Sequence, residues 1–133
     1  MTTIDSYSHD VSGEKEFGFA QAVKVGDTVY ISGQLSHDGA GEFIHADDLD
    51  GQFQQIWANL QKVLDHYGIT RNQIVQDGVF VVNLPENAAA VAAAHLAYFG
   101  DHRPTSTTVG VDSLFFPGQL LEINFIANTT LPA

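Results

Sequence analysis

The sequence predicts an α+β protein in which a mixed β-sheet carries two helices on one face. Three observations lead there. Phe53, Ile56, Trp57, Leu60, Val63, Leu64 and Tyr67 recur at spacings of three and four, the pattern of one amphipathic helix. Val79-Phe80-Val81-Val82 is a short, continuous apolar run of the kind found in a strand buried on both faces. Pro104 to Val111 and Leu120 to Ala127 read as two further strands, the first rich in β-branched residues behind a proline that can open a strand but not sit inside one.

Taken in order, residues 1–16 are polar, with Ile4, Tyr7 and Val11 as their apolar anchors, and suit a short edge strand or arm. From Phe17 the chain alternates through Phe19, Gln21, Val23 and Val25, turns at Gly26-Asp27 and returns along Thr28 to Gly33, which predicts a hairpin. Gln34 to Gly41, with two glycines and an aspartate, reads as a loop. Asp47 and Asp48 can cap the helix that follows, and Gly68 suits the left-handed position just beyond its end. After the central strand, Pro85 fits a first helical turn, and Glu86 to Phe99 predicts a second helix whose many alanines would allow close approach to the sheet. Gly100 closes it. The turn signal Pro117-Gly118 makes the last two strands antiparallel neighbours in this reading, which sets Glu122 close to Ser106 or Thr107.

Composition narrows the function. At 133 residues the whole chain, 1–133, is expected to form one domain. No apolar run reaches the roughly 18 residues that span a bilayer, and the first residues lack the basic-then-apolar pattern of a signal peptide. With no cysteine there is no disulfide or thiol chemistry, and the expectation is a cytoplasmic protein. Sixteen acidic residues against five basic ones give a formal net charge of -11, which repels nucleic-acid backbones and anionic membranes. Lys15, Lys24, Lys62, Arg71 and Arg103 are scattered and form no patch. The six histidines, His9, His37, His45, His66, His95 and His102, show no metal-ligand spacing, so neither a metal nor a cofactor is expected. There is no Gly-x-Ser-x-Gly elbow and no phosphate-binding glycine loop. The best chemical candidate is Glu122. Flanked by Leu120, Leu121 and Ile123, its carboxylate sits where ionisation is costly, and a raised pKa would let it exchange a proton with a bound water.

The stretch from Gln21 to Gln34, Asn59-Leu60 in the first helix, Val109 to Val111, and Glu122-Ile123 with Ile126-Ala127 together resemble the RidA/YjgF family over residues 17–128. The resemblance implies a chorismate-mutase-like fold and a homotrimer with a cleft between each pair of subunits. It also implies hydrolysis of small enamines and imines, such as 2-aminoacrylate, to keto acids and ammonia. Site positions carried over are Phe19, where the family has a tyrosine, Ser32, Gly33, Ala92, where it has an asparagine, and Glu122, which positions water. Ser106 stands where the family places the arginine that grips a substrate carboxylate, and Thr107 follows it. A serine supplies neither the charge nor the forked geometry of arginine. The chain therefore looks closer to the arginine-lacking branch, with 2-aminoacrylate disfavoured.

Each signal has a plainer reading beside it. Glu122 could be a strand carboxylate bracing a subunit interface, Ser106 and Thr107 ordinary strand residues, Arg103 a solvated loop charge and Trp57 a core residue. Two function classes stay open: an enamine or imine hydrolase, and a non-catalytic trimer that binds a small metabolite or a protein.

Overall fold

The computed structural model describes residues 4–133. A six-stranded mixed sheet runs in the order β1-β2-β3-β6-β4-β5. Its strands are β1 (Ile4–Tyr7), β2 (Ala22–Val25), β3 (Thr28–Gln34), β4 (Ile74–Val82), β5 (Thr105–Val111) and β6 (Leu121–Asn128). Only the pairing of β4 with β5 is parallel. Two long helices, α2 (Leu49–Tyr67) and α3 (Leu84–Phe99), pack on it, α2 over β3 and β6, α3 over β4 and β5.

Local chemistry explains most boundaries. Gly26, at a φ of 60°, turns the β2–β3 hairpin. The Asp48 side chain accepts the Gly51 N–H at 3.0 Å and starts α2, a cap worth about 1 kcal/mol. Gly68 ends α2 in the left-handed conformation. The core forms where the α2 stripe meets alternate residues of the sheet. Ile56, Leu60, Val63 and Leu64 lie against Val29, Val79, Val81, Leu121, Ile123 and Ala127, all essentially inaccessible to solvent. Burying a large aliphatic side chain of this kind contributes about 1.5–3 kcal/mol relative to leaving it exposed. Trp57 packs against this core and stacks on Tyr98 with ring centroids 3.9 Å apart, which joins the two helices.

Several expectations are corrected. β5 and β6 are not neighbours, because β4 lies between them and pairs with both. β4 alternates instead of being buried on both faces: Val79 and Val81 are buried, Phe80 and Val82 only partly. The chain from Ser12 to Phe17 is a short helix, α1, not polar arm running into a strand. It is pinned by Glu14, whose carboxylate accepts the Ser8 hydroxyl and the His9 N–H, the latter at 2.9 Å, and it ends at left-handed Gly18. The alanines of α3 mostly face outward, and Val91, His95 and Phe99 carry its contact with the sheet, along with Leu84. The predicted edge strand is present as β1, paired to β2, while residues 1–3 of that stretch lie outside the described region. No helix among the described residues is long and apolar enough to cross a membrane.

Candidate active site

Alternation along β6 turns Leu121, Ile123, Phe125 and Ala127 toward the helices and leaves Glu122, Asn124 and Ile126 on the open face. Opposite Glu122, the pairing of β3 with β6 slips between Ile31 and Gln34, so Ser32 and Gly33 form an irregularity in the ladder. The Glu122 carboxyl lies against Gly33, where a side chain would collide with it: a Cβ there would come within 2.7 Å of Cδ and 2.9 Å of Cγ. Glycine at this position is therefore a matter of close approach. Gln119 holds the carboxyl from the other side, its Nε2 donating to Glu122 Oε1 at 3.2 Å. Gln119 is 2% exposed, also donates to the Leu121 carbonyl and accepts the Phe116 N–H. Burial pushes the Glu122 pKa above the usual carboxylate range, partly offset by this hydrogen bond.

Glu122 opens into a cavity of about 440 Å³ with Phe17, Phe19, Ser32, Gly33 and Phe116 in its walls. The aromatic rim is continuous, with Phe17 and Phe115 edge-to-face at 5.0 Å and Phe115 and Phe116 at 4.9 Å. The loop carrying Phe115 and Phe116 is tied down by Gln52. This fully buried residue of α2 donates to the carbonyls of His45 and Gly118 and accepts the Leu120 N–H at 2.8 Å. Ser32 donates its hydroxyl to the Ala20 carbonyl at 2.6 Å and its N–H to the Gln21 carbonyl at 2.8 Å. Both donors of Ser32 are thus engaged within the chain.

The other carried-over positions lie elsewhere. Ser106 pairs across the sheet with Asp77, which pairs with Phe125, so Ser106 points to the helix side while Glu122 points to the open side. The expected proximity of Glu122 and Ser106 is thereby overturned. Thr107 shares its row with Gly78 and Asn124 and falls on the open face. Ser106 and Ala92 instead line a second cavity, of about 470 Å³, between α3 and β5. Arg103 stands at this cavity, but its Nη1 donates to the Gly100 and His102 carbonyls at the end of α3.

Sequence reasoning passed over Gln119, Asp77 and His95. Gln119 follows the Pro-Gly turn directly, and a polar residue two positions before a half-buried strand was the signal available. Asp77 and His95 lie far apart in sequence and meet only because α3 crosses back over β4.

A mixed sheet backed on one face by two long helices, with a half-buried carboxyl over an irregular glycine and an aromatic cavity beside it, defines a small chorismate-mutase-like α+β protein. The family model for endoribonuclease L-PSP matches residues 13–129, and the chain belongs to this family, RidA/YjgF. A RutC family protein from Pyrococcus horikoshii is 28% identical over 110 residues, 82% of this chain and 85% of that one. A 2-iminobutanoate/2-iminopropanoate deaminase from Dermatophagoides farinae is 28% identical over 96 residues, 72% of this chain and 74% of the other. Among solved structures, Rv2704 from Mycobacterium tuberculosis, a member of the YjgF/YER057c/UK114 family, superposes with a TM-score of 0.83 at 25% identity, covering 95% of this chain and 99% of its own.

Proposed function

We propose that this protein hydrolyses a small enamine or imine in clefts formed between the subunits of a homotrimer. The observation that carries this reading is the Glu122 carboxyl, held above its usual pKa by burial in a cavity, with Gly33 beneath it and Gln119 fixing one oxygen. A carboxyl with a raised pKa is a stronger proton acceptor than an ordinary carboxylate and can take a proton from water and return it. Water adds to the carbon of the C=N bond as Glu122 accepts a water proton. That proton passes to nitrogen to give a carbinolamine. Its hydroxyl proton then moves to nitrogen as the C–N bond breaks, so a carbonyl compound and ammonia leave. An enamine enters the same path after taking a proton at carbon to become the imine. The relative named as a 2-iminobutanoate/2-iminopropanoate deaminase supports the same chemistry.

The trimer reading rests on the two-sided layout. Phe19, Ser32, Gly33 and Glu122 line one cavity, Ala92 and Ser106 the other, and one chain cannot turn both toward a single ligand. Thr107, on the open face of β5, would lie at the contact between chains. β5 is an edge strand with its residues from Thr105 to Gly110 exposed, a surface that calls for a neighbour. Cleavage of RNA, which the endoribonuclease description would suggest, is disfavoured by a net charge of -11 and five scattered cations. The second reading, a trimer that binds a metabolite without turning it over, is favoured by Ser106 in the arginine position.

One variant separates the two. Glu122→Gln keeps the shape but removes the proton acceptor. Turnover of enamines generated in solution is expected to fall roughly 100-fold, the scale of losing a positioned acid or base, with assembly unchanged. Undiminished turnover together with a weakened assembly would make Glu122 an interface strut and defeat the catalytic assignment.

A further inference from the structure

The polar end of the cavity between α3 and β5 is built around a buried acid. Asp77 is 2% exposed, with its side chain fully enclosed. Ser106 Oγ donates to Asp77 Oδ1 at 2.5 Å, and His95 Nε2 lies 2.6 Å from Oδ2. Ser106 Oγ and His95 Nε2 are 3.4 Å apart. These three residue types suggest a nucleophilic triad, and the geometry refutes it. In a triad the acid and the serine take opposite ring nitrogens and the serine proton goes to histidine. Here both meet the same nitrogen, and the serine proton goes to the aspartate.

Donor and acceptor accounting gives the site another use. A serine hydroxyl has one proton and two lone pairs. With its proton committed to Asp77, Ser106 can offer a ligand in the cavity only an acceptor. The Asp77–His95 pair carries a charge of minus one with the imidazole neutral and zero with it protonated, so in neither state does it attract an anion. Arg103 is occupied with the Gly100 and His102 carbonyls. Of the remaining walls, Leu84, Val91, Leu96 and Phe99 are apolar, His102 is engaged with the Ile74 carbonyl at 2.6 Å, and Thr108 adds one exposed hydroxyl away from the buried acid.

We propose that this cavity selects small nitrogen compounds that lack a carboxylate: neutral or cationic imines, enamines, amines and amides whose N–H donates to Ser106 Oγ while an apolar body packs between α3 and β5. The proposal rests on the cleft reading above only in taking this ligand to be the substrate. Carboxylates are refused because they are acceptors facing an acceptor, with the Asp77 charge behind it.

The test is a titration of the full-length protein with three probes of one shape, isobutylamine, isobutyramide and isobutyrate, followed through the backbone amide signals of Ser106 and His95. Amine and amide are expected to bind about tenfold or more tightly than isobutyrate, since a site committed to one hydrogen-bond polarity discriminates strongly against the wrong partner. Ser106→Ala, at an exposed edge position, should keep the fold and reduce the preference to about threefold or less, under 1 kcal/mol. Tighter or equal binding of isobutyrate, a preference that survives Ser106→Ala, or no binding of any probe would overturn the proposal. Turnover separates it from the hydrolase reading. An intact binding preference with no enamine turned over sinks the hydrolase alone, whereas faster turnover of carboxylated than uncarboxylated enamines sinks the selectivity alone.

Discussion

Gly33 and Glu122 occupy each other's space: the glutamate carboxyl rests where any side chain at position 33 would have to go. A Cβ there would meet Cδ at 2.7 Å, too close for a small adjustment. Gly33→Ala is therefore expected to push the carboxyl out of its place between Gly33 and Gln119. Overpacking of this kind costs about 1–3 kcal/mol, and a displaced catalytic group loses roughly tenfold to 100-fold in rate. Thermal melts and turnover on the same preparation check it. A variant as active as the wild type would show that the carboxyl needs no fixed seat.

The stability of the protein should carry a signature of Glu122. Burial raises its pKa from the ordinary value of 4.5, so folding favours the protonated form. That contribution is fully present below the ordinary value and is lost as pH rises through the raised one. Glu122→Gln has no charge to lose. Its melting temperature should match the wild type at about pH 4 and exceed it at neutral pH, where the wild type buries an anion. A melting difference that stays constant across that range would contradict the assigned burial.

Assembly is the third expectation. Exposed Phe17, Phe19, Tyr30, Val109 and Phe115 lie on the open face, the cavity rim and the β5 edge, an apolar surface that calls for partner subunits. Sedimentation equilibrium at micromolar concentration should give a trimer. A monomer would remove the cleft on which the proposed function depends.

The fourth concerns 2-aminoacrylate. Losing two charge-assisted hydrogen bonds to its carboxylate should leave its hydrolysis on the order of 100-fold or more below that of an arginine-bearing relative. Ser106→Arg alone should restore little, because the new guanidinium would pair with the buried Asp77 carboxylate, which loses its Ser106 donor in the exchange, and not with the substrate. Robust wild-type turnover of this compound would show that Arg103 leaves its carbonyl partners and reaches the site.

The fold was legible where the signal was local. The stripe from Phe53 to Tyr67, the Asp48 cap and the Gly26-Asp27 hairpin all follow from short-range patterns, whereas β4, expected at the centre, lies one strand in from the edge. Strand order was not legible from a turn. Pro117-Gly118 does turn the chain, but β6 returns between β3 and β4 because its alternate residues fill the space under α2. The misplaced order carried Ser106 to the wrong face and hid its contact with Asp77. Glu122 was singled out by its apolar flanks and by the family resemblance. Gln119 was not, and Gly33 was named without its contact with Glu122, since both support the carboxyl through contacts that spacing does not encode.

Placing β5 at the rim of the sheet has a consequence for how the molecule breathes. β6 is hydrogen-bonded on both sides and its inward residues are sealed, whereas β5 holds to β4 alone and is exposed over nearly its whole length. In a lone chain the amide protons of β5 should exchange with solvent through brief local detachment, and those of β6 only when the whole structure opens. The wall that carries Ser106 is thus held less firmly than the strands in the middle of the sheet, and the arrival of a neighbouring subunit would steady it and complete the binding cavity in one event.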